Sequence, residues 1–255
     1  MDGTSMEVGT AMNLPRDKMK GNLYIGLVAG LGASVLVSSL YRLFGAGLEA
    51  RDLAWLGIAV LTLLVGRLSV KLPLPNCRVS FSDAFIFLSV MVFGGDLATL
   101  TAALDGFASS SRDKGTWHKK AFNMGGMALS VNLSARVFAW LLPQEGLWGA
   151  RFSAVGLMVP VAVLAFTQYI LNTALVSGVV ALKDHQSLMA IWQDSSPWAG
   201  SAYLAGSVAA AIVFLVVREL GVASAFAILP FPGILYLTYR ACLDRLVRTK
   251  GGVPF

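Results

Sequence analysis

The stretch VFGGDLA, residues 92–98, decides the fold, because the apolar region around it crosses a membrane either once or twice. Glycine pairs are unfavourable inside a helix, and aspartate favours the start of a new one. The run Gly94-Gly95-Asp96 therefore predicts a turn between two short helices. Residues 82–94 alone would reach only about 20 Å at 1.5 Å per residue. Either the first helix begins earlier, near Asn76, or the pair is a partly re-entrant hairpin packed inside protein.

The distribution of Lys and Arg also favours the turn. With two segments there, 15 basic residues lie on the cytoplasmic side and four lie outside, with Arg136 inside a span. With a single crossing the numbers become 11 and eight. Because cytoplasmic loops of membrane proteins are enriched in Lys and Arg, the two-segment reading is preferred.

The composition identifies the class of protein. Of 255 residues, 56% are hydrophobic and 13% charged, the mean hydropathy is +0.69 and the net charge is +6. Soluble domains carry about 25% charged residues. The chain is therefore predicted to be an all-α polytopic transmembrane bundle, multi-pass in a bacterial inner membrane, and no globular catalytic domain fits into it.

The predicted organisation is a cytoplasmic tail (1–21), a transmembrane domain (22–240) and a cytoplasmic C-terminal helix end or tail (241–255). The first apolar run has no signal-peptide cleavage pattern, so we interpret it as a retained span. Six spans are clear and the hairpin raises the number to eight, with both termini cytoplasmic. The clear spans are residues 22–44, 53–70, 121–142, 153–182, 198–217 and 222–240.

Amide side chains inside the spans are expected to be informative, because polar groups are costly in hydrocarbon. Gln168 and Asn172 are four residues apart and share a helix face, where Pro160 favours a kink. They either line a polar cavity or bond across helices. Asn123 is a further candidate for the same cavity, and Asn132 shares a face with Arg136, which we expect to snorkel outward.

Three aspartates of the apolar region have two predicted roles. Asp83 is a candidate ligand residue, and Asp96 and Asp105 are turn or structural residues. Asp83 either caps a helix start or pairs with Arg67 or Arg78, and it is grouped with Asn123, Gln168 and Asn172 as the ligand-binding set. The predicted turn and structural residues are Gly94, Gly95, Asp96, Asp105 and Gly106. Asp96 is expected to cap the second helix, and Asp105 to cap a helix end or meet Lys119 or Lys120.

The sequence contains no pattern that predicts catalysis. Gly94-Gly95-Asp96 departs from the G-x-G-D of intramembrane aspartyl proteases, because residue 93 is Phe. His118 and His185, both placed in loops, have no metal-ligand spacing, and Cys77 and Cys242 suggest no disulfide framework. We expect neither a metal nor a cofactor, and no nucleic-acid binding. The basic segment SSSRDKGTWHKK, residues 109–120, is expected to lie on anionic headgroups.

The segments LPLPNCRVSFSDAFIFLSVMVFGGDLATLTAALDG, KKAFNMGGMALSV and LNTALVSGVVAL resemble the MASE-type multi-span sensor modules that precede HD-GYP or GGDEF domains in bacterial signalling proteins. The chain is more loosely similar to the substrate-binding S components of energy-coupling factor vitamin transporters. The resemblance covers residues 50–245 and marks a set of positions without assigning them chemistry. These positions are Asp83, Gly94, Asp105, Gly106, Asn123 and Asn172.

No output domain follows the resemblance, so the chain is either a truncated module or one that works with separate partners. The sequence predicts a non-catalytic sensory module that couples a ligand or the membrane state to a cytoplasmic partner or output domain. The alternatives are a small-solute binding or transport subunit and a structural subunit of a membrane complex. The expected partners are the lipid bilayer and the cytoplasmic component, with a homodimer left open.

Overall fold

The computed structural model describes residues 14–47, 50–67, 70–71, 78–79, 82–112, 115–143, 147–148, 153–184, 186–221 and 224. Within these ranges the chain forms seven helices and one pair of two-residue strands. They are α1 (Leu14–Ala46), α2 (Ala50–Val65), β1 (Val70–Lys71), β2 (Arg78–Val79), α3 (Ser82–Phe93), α4 (Gly95–Arg112), α5 (Trp117–Trp140), α6 (Ala154–Asp184) and α7 (Leu188–Leu220). The strands pair antiparallel, Val70 with Val79 and Lys71 with Arg78. The prediction of an all-α fold is confirmed.

The helix break at VFGGDLA is present in the structure. α3 ends at Phe93, Gly94 has a φ of +87°, and α4 begins at Gly95. A positive φ is a conformation that glycine adopts without the steric cost that a Cβ imposes. Ser82 at the start of α3 contacts Asp105 far along α4, so the two helices form an antiparallel hairpin.

Several predicted boundaries were wrong. α2 stops at Val65, before the predicted end at residue 70. α3 begins at Ser82, so of the two alternatives given for its start the one near Asn76 is excluded. α5 begins at Trp117, which makes His118 a helical residue and shortens the predicted basic loop. α7 begins ten residues before the predicted span, because Ser187 caps it by accepting from the N–H of Ala190. The segment 222–240 lies outside the described residues apart from Ser224, and both tails lie outside them apart from residues 14–21 of α1.

Contacts near the helix ends give the direction of each helix. Where α1 begins, which we call the near end, Tyr24 donates to the carbonyl of Leu175 in α6 and its ring contacts Phe122 of α5. Where α1 ends, the far end, Arg42 meets Asp96 at the start of α4. Together with the hairpin and the short connection between α6 and α7, these contacts show that consecutive helices run in alternating directions.

The bundle exposes apolar side chains and buries polar ones. On α7 the exposed residues Leu204, Val208 and Ile212 recur every four positions, and α1, α2 and α6 carry similar stripes. Such continuous apolar faces suit contact with lipid, whereas polar groups in a membrane protein face the bundle interior. The buried polar residues include Ser39, Thr62, Ser82, Thr99, Thr101, Asp105, Ser130, Asn132, Ser134 and Gln168.

Three helices in the described part of the chain are long and apolar enough to cross a membrane. They are Met19–Gly45, Val155–Lys183 and Gly200–Leu220. Leu53–Val65 and Ser82–Phe93 are apolar but shorter. α5 is long enough but polar in part, and it packs against α1, α4 and α6, which cover its polar residues. These features identify a membrane protein.

Glycine allows α1 and α5 to approach closely at one point. A Cβ on Gly32 would overlap the Cα and the carbonyl of Gly125, and a Cβ on Gly125 would lie 2.9 Å from the Cα of Ala29. Gly26 and Gly30, which form a G-x-x-x-G pattern on the same helix, face away from the rest of the described chain, because no atom lies within 4 Å of a Cβ built on either glycine. Packing of α1 therefore depends on Gly32.

Candidate ligand-binding site

A buried carboxylate at the side of α4 is the centre of the candidate site. Asp105 is 6% exposed and lies inside α4, so it caps no helix end and forms no turn, contrary to prediction. Its Oδ2 accepts a hydrogen bond of 3.0 Å from Oγ of Ser82. Lys120, one of its predicted partners, lies instead over the ring of Phe107, 5.7 Å from the centroid.

The other oxygen of Asp105 faces the end of α2. In the part of the chain that the structure describes, Oδ1 of Asp105 is buried and has no hydrogen-bond partner. A Cβ on Gly66 would lie 2.8 Å from that oxygen and 3.0 Å from the carbonyl oxygen of Thr62. Glycine at residue 66 therefore lets the end of α2 pack closely on this oxygen, and Nη1 of Arg112 lies 3.5 Å from the same Cβ position. The unmet hydrogen-bonding capacity of Oδ1 leaves it available as an acceptor.

Asp83 belongs to the same cluster. It lies in the first turn of α3, next to Ser82, and its carboxylate interacts electrostatically with that of Asp105 and with the phenol of Tyr203. No ion pair joins it to Arg67 among the described residues, and the side chain of Arg78 lies outside them. The predicted pairing with Arg67 is therefore wrong.

Tyr203 connects this acidic pair to Asn172. The phenol oxygen of Tyr203 accepts a hydrogen bond of 2.7 Å from Nδ2 of Asn172, and its ring packs edge-on against Phe87, with centroids 6.2 Å apart. Backbone contact brings α7 close to α3 as well, since a Cβ on Gly206 would lie 3.5 Å from the nitrogen of Ala84. These side chains join α3, α4, α6 and α7. We call them the acidic cluster, which consists of Ser82, Asp83, Asp105, Asn172 and Tyr203.

Gln168 is not part of the acidic cluster, although it lies one turn from Asn172. Its Oε1 accepts from Ser134 and its Nε2 donates to Ser130, each at 3.1 Å, so both ends of the amide bond to α5. Two roles were predicted for this helix face, a polar cavity or bonds across helices, and its two residues differ in which role they take. Gln168 bonds across helices, and Asn172 reaches the cluster.

Replacing Gln168 by Leu is expected to leave ligand responses of the acidic cluster unchanged. Both serines keep backbone acceptors, Ser134 at the carbonyl of Ser130 and Ser130 at that of Met127, so no donor is left unsatisfied. We expect the free energy of unfolding to change by less than about 1.5 kcal/mol, because the side-chain volume is conserved. Gln168→Ala, the matched variant, should lose roughly 2 kcal/mol through the cavity it creates. Thermal unfolding in detergent measures the stability of both variants. An equal loss of stability in the two would contradict the structural role given to Gln168.

Asn123 and Gly106 meet through their backbones. A Cβ on Gly106 would lie 2.5 Å from the carbonyl oxygen of Asn123, so glycine is needed for α4 and α5 to approach. Gly106 lies inside α4 and not in a turn, contrary to prediction. The side-chain amide of Asn123 makes no hydrogen bond with the acidic cluster among the described residues, and the contact of Asn123 with α4 is through its backbone.

A separate polar network lies at the far end. Nε of Arg42 donates to both carboxylate oxygens of Asp96, at 3.0 and 3.1 Å, and Nη1 donates to Ser38. Asp96 lies in the first turn of α4, and its predicted capping role is replaced by this ion pair between α1 and α4. Gly95, the first residue of α4, approaches Ala135 of α5 closely, so the predicted turn residues also hold the hairpin against its neighbours.

Asn132 extends the far-end network into α5. Its Nδ2 lies 3.2 Å from Oγ1 of Thr99 and 3.4 Å from Oγ of Ser39, and its Oδ1 accepts from Nε of Arg136 at 3.0 Å. The predicted shared face of Asn132 and Arg136 is confirmed, and Arg136 is exposed. These bonds satisfy a buried amide and tie three helices together, so we assign the network a structural role.

The acidic cluster has the chemistry of a binding site for a positively charged group or a hydrogen-bond donor. It offers two carboxylates, a serine hydroxyl, a phenol and an amide, and one carboxylate oxygen has no partner among the described residues. No group of three or more His, Cys, Asp or Glu side chains that would hold a metal ion occurs there or elsewhere in the described ranges. Comparison with protein-family models, curated proteins and solved structures gives no match.

Sequence reasoning found part of this site. It named Asp83 and Asn172 as ligand residues and Asp105 as a structural residue, but it missed Ser82, Tyr203 and the close packing of Gly66 on Asp105. Ser82 was considered only as the residue before Asp83, and Tyr203 lies within a span as an ordinary aromatic. A tyrosine inside an apolar span is itself a usable signal, because its hydroxyl needs a partner when buried.

Proposed function

We propose that the chain is a non-catalytic, multi-pass sensory module of a bacterial inner membrane, which binds a small solute at the acidic cluster and reports its occupancy to a cytoplasmic partner or output domain. The observation that carries the proposal is the unpartnered, buried Oδ1 of Asp105 beside Asp83. Buried ionisable groups in a membrane protein are costly and mark functional sites by default.

The proposed topology has eight membrane segments with both termini in the cytoplasm. The alternating directions of the seven described helices support it, as does the excess of Lys and Arg assigned to the near end. In this arrangement the near end is cytoplasmic, Arg42 and Gly94 lie toward the outer face, and the predicted segment 222–240 returns the chain to the cytoplasm.

The route from site to output is the contact between α3, α6 and α7. Tyr203 on α7 receives a hydrogen bond from Asn172 on α6 and interacts with Asp83 on α3. A ligand that competes for these groups binds two arrangements of α7 with different affinities. This difference in affinity shifts the population from one arrangement to the other. α7 directly precedes the predicted last segment, so its shift is available to a cytoplasmic partner.

Tyr203→Phe tests this route, because it removes only the hydroxyl that links α6 to the cluster. The full chain in lipid nanodiscs is compared by hydrogen exchange after gentle extraction and again after exhaustive washing that strips bound solutes. We expect α7 to lose protection on washing in the wild type, and Tyr203→Phe and Asn172→Ala to abolish that difference. Tyr169→Phe, whose ring packs on Tyr203 and Trp192, is the matched control and should behave as wild type. An unchanged difference in Tyr203→Phe would contradict the proposal.

A solute-binding transport subunit is the second candidate, and the short α3 favours it. Binding sites of transporters are commonly formed by discontinuous helices whose ends lie at mid-membrane. α3 spans only about 18 Å, and its first turn carries Asp83. This function predicts a stoichiometric bound metabolite in native mass spectrometry together with a separate ATPase complex. A protein that carries a solute but binds no ATPase complex would favour the sensor.

A further inference from the structure

Two exposed aromatic rings lie side by side near the end of α4 and the start of α5. The indole of Trp117, the first residue of α5, is 70% exposed and packs edge-on against the ring of Phe107, with centroids 6.2 Å apart. Phe107 is 36% exposed, and Leu104, three residues earlier on the same face of α4, is exposed as well. This apolar surface lies on the outside of the bundle, where it suits contact with lipid chains.

A lysine ammonium lies at the same surface. Nζ of Lys120 is 5.7 Å from the centroid of the Phe107 ring. Lys120 follows Trp117 by three residues, so the two side chains share one face of α5. Within the described ranges, Lys120 pairs with no carboxylate and the indole N–H of Trp117 has no acceptor. The surface therefore offers a positive charge and a further hydrogen-bond donor beside exposed apolar rings.

The other basic groups of this segment either have contacts elsewhere or are exposed. Lys119 interacts with another group. Nη1 of Arg112 lies 3.5 Å from a Cβ built on Gly66, so this guanidinium is directed toward the end of α2. His118 is exposed in the first turn of α5, which contains no acidic residue. The described surface is basic, and an anionic group is its complementary partner.

The depth of Trp117 matches that of the lipid headgroups. α1 and α5 run parallel and are in contact at Gly32 and Gly125. At that offset Trp117 is level with Tyr24, which lies about one turn inside Lys20, the last charged residue before the apolar run of α1. Tryptophan side chains of membrane proteins are concentrated at this level, between the hydrocarbon and water.

We propose that Trp117 and Lys120 bind the phosphate of one anionic phospholipid, whose acyl chains pack along Phe107 and Leu104. Lys120 supplies the charge and the indole N–H of Trp117 supplies a hydrogen bond, and bonds to an ionised phosphate are stronger than those between neutral groups. A phospholipid matches both parts of the surface, because its phosphate suits the donors and its chains suit the apolar face. This lipid site does not depend on the sensory function, since it shares no residue with the acidic cluster.

Native mass spectrometry of the full chain in a neutral detergent counts the phospholipids that stay bound. During titration with phosphatidylglycerol, we expect one lipid for each chain to bind more tightly than those that follow. Phosphatidylcholine has the same phosphate but no net charge, and it should bind this position about fivefold more weakly. Inorganic phosphate should not displace the bound phosphatidylglycerol, because it makes no contact with the apolar face.

Substitutions locate the bound lipid. Lys120→Gln removes the charge and Trp117→Phe removes the indole N–H, and each should weaken the tightest phosphatidylglycerol about fivefold or more. Lys120→Arg keeps the charge and should bind at least as tightly as wild type. Lys183→Gln and Trp140→Phe are the matched controls and should bind as wild type. Lys183 is an exposed lysine in the last turn of α6 at the near end, and Trp140 is the exposed tryptophan at the other end of α5.

Three results would overturn the lipid site: equal affinity for phosphatidylglycerol and phosphatidylcholine, displacement of the lipid by inorganic phosphate, or equal losses of affinity in Lys120→Gln and Lys183→Gln. The first two are measured on the wild-type protein and do not depend on whether a variant folds. Equal losses in the two lysine variants would show a general attraction of lipid to basic residues and no defined site.

Discussion

Gly32→Val is expected to destabilise the bundle by about 3 kcal/mol or more. At this position α1 and α5 are in backbone contact, and a Cβ would overlap the Cα and carbonyl of Gly125. Backbone atoms inside two long helices have no rotamer with which to move aside, so the helices must separate along their shared face. That separation also disturbs the bonds of Ser39 and Asn132 further along the same interface.

The measurement is the midpoint of thermal unfolding in detergent, followed by size-exclusion chromatography with tryptophan fluorescence. Gly30→Val is the matched control, because Gly30 lies on the same helix and nothing lies within 4 Å of its Cβ position. The control should change the free energy of unfolding by less than about 0.5 kcal/mol, as for other surface substitutions. Similar losses in the two variants would show that α1 does not pack through Gly32.

Gly94→Val is expected to destabilise the α3–α4 hairpin by roughly 2 kcal/mol. Gly94 has a φ of +87°. In this conformation a β-branched side chain clashes with its own backbone. This clash lies within residue 94 itself, so the loss of stability does not depend on neighbouring helices. Gly45→Val is the control, because Gly45 lies in α1 without a positive φ and with open space around it. Thermal unfolding in detergent should separate the two variants, and equal stabilities would argue against the observed turn.

The same turn determines which side of the membrane each later segment faces. With Cys77 and Cys242 replaced by Ser, a cysteine at Ser111 is expected to react with a membrane-impermeant maleimide only from the cytoplasmic side. In the Gly94→Val background, loss of the hairpin would lower this one-sided reaction. Reaction of the Ser111→Cys protein from the outer side alone would show that the proposed topology is inverted.

Local features of the sequence were sufficient for the helices and their break. Apolar runs of about 20 residues and Gly94-Gly95-Asp96 act within a few turns of chain, and the helices appear where these features predict them. The boundaries of α2, α5 and α7 were displaced, because charge and hydropathy mark the edge of the membrane and not the end of a helix. α7 shows this most clearly, since Ser187 starts the helix well before the apolar span.

The candidate site was only partly predictable. Asp83 and Asn172 were named because polar groups in spans are costly, yet their meeting through Tyr203 depends on how α3, α6 and α7 are packed. Gln168 carries the same sequence features as Asn172 and was grouped with it. The packing of α6 against α5 decides that its amide bonds to Ser130 and Ser134. The pairing of Arg42 with Asp96 was missed for the same reason, since each was interpreted only within its own segment.

The sequence by itself determined that this is a helical membrane protein and that the chain turns at Gly94. These properties arise from hydrophobic length, backbone conformation and charge distribution, all of which are local. Only the tertiary structure decided that Asp105 is buried with one unpartnered oxygen, packed against Gly66 at the end of α2. Which side chains meet depends on the rotation and close approach of several helices at once, and the free energy that selects one packing is a small difference spread over many contacts.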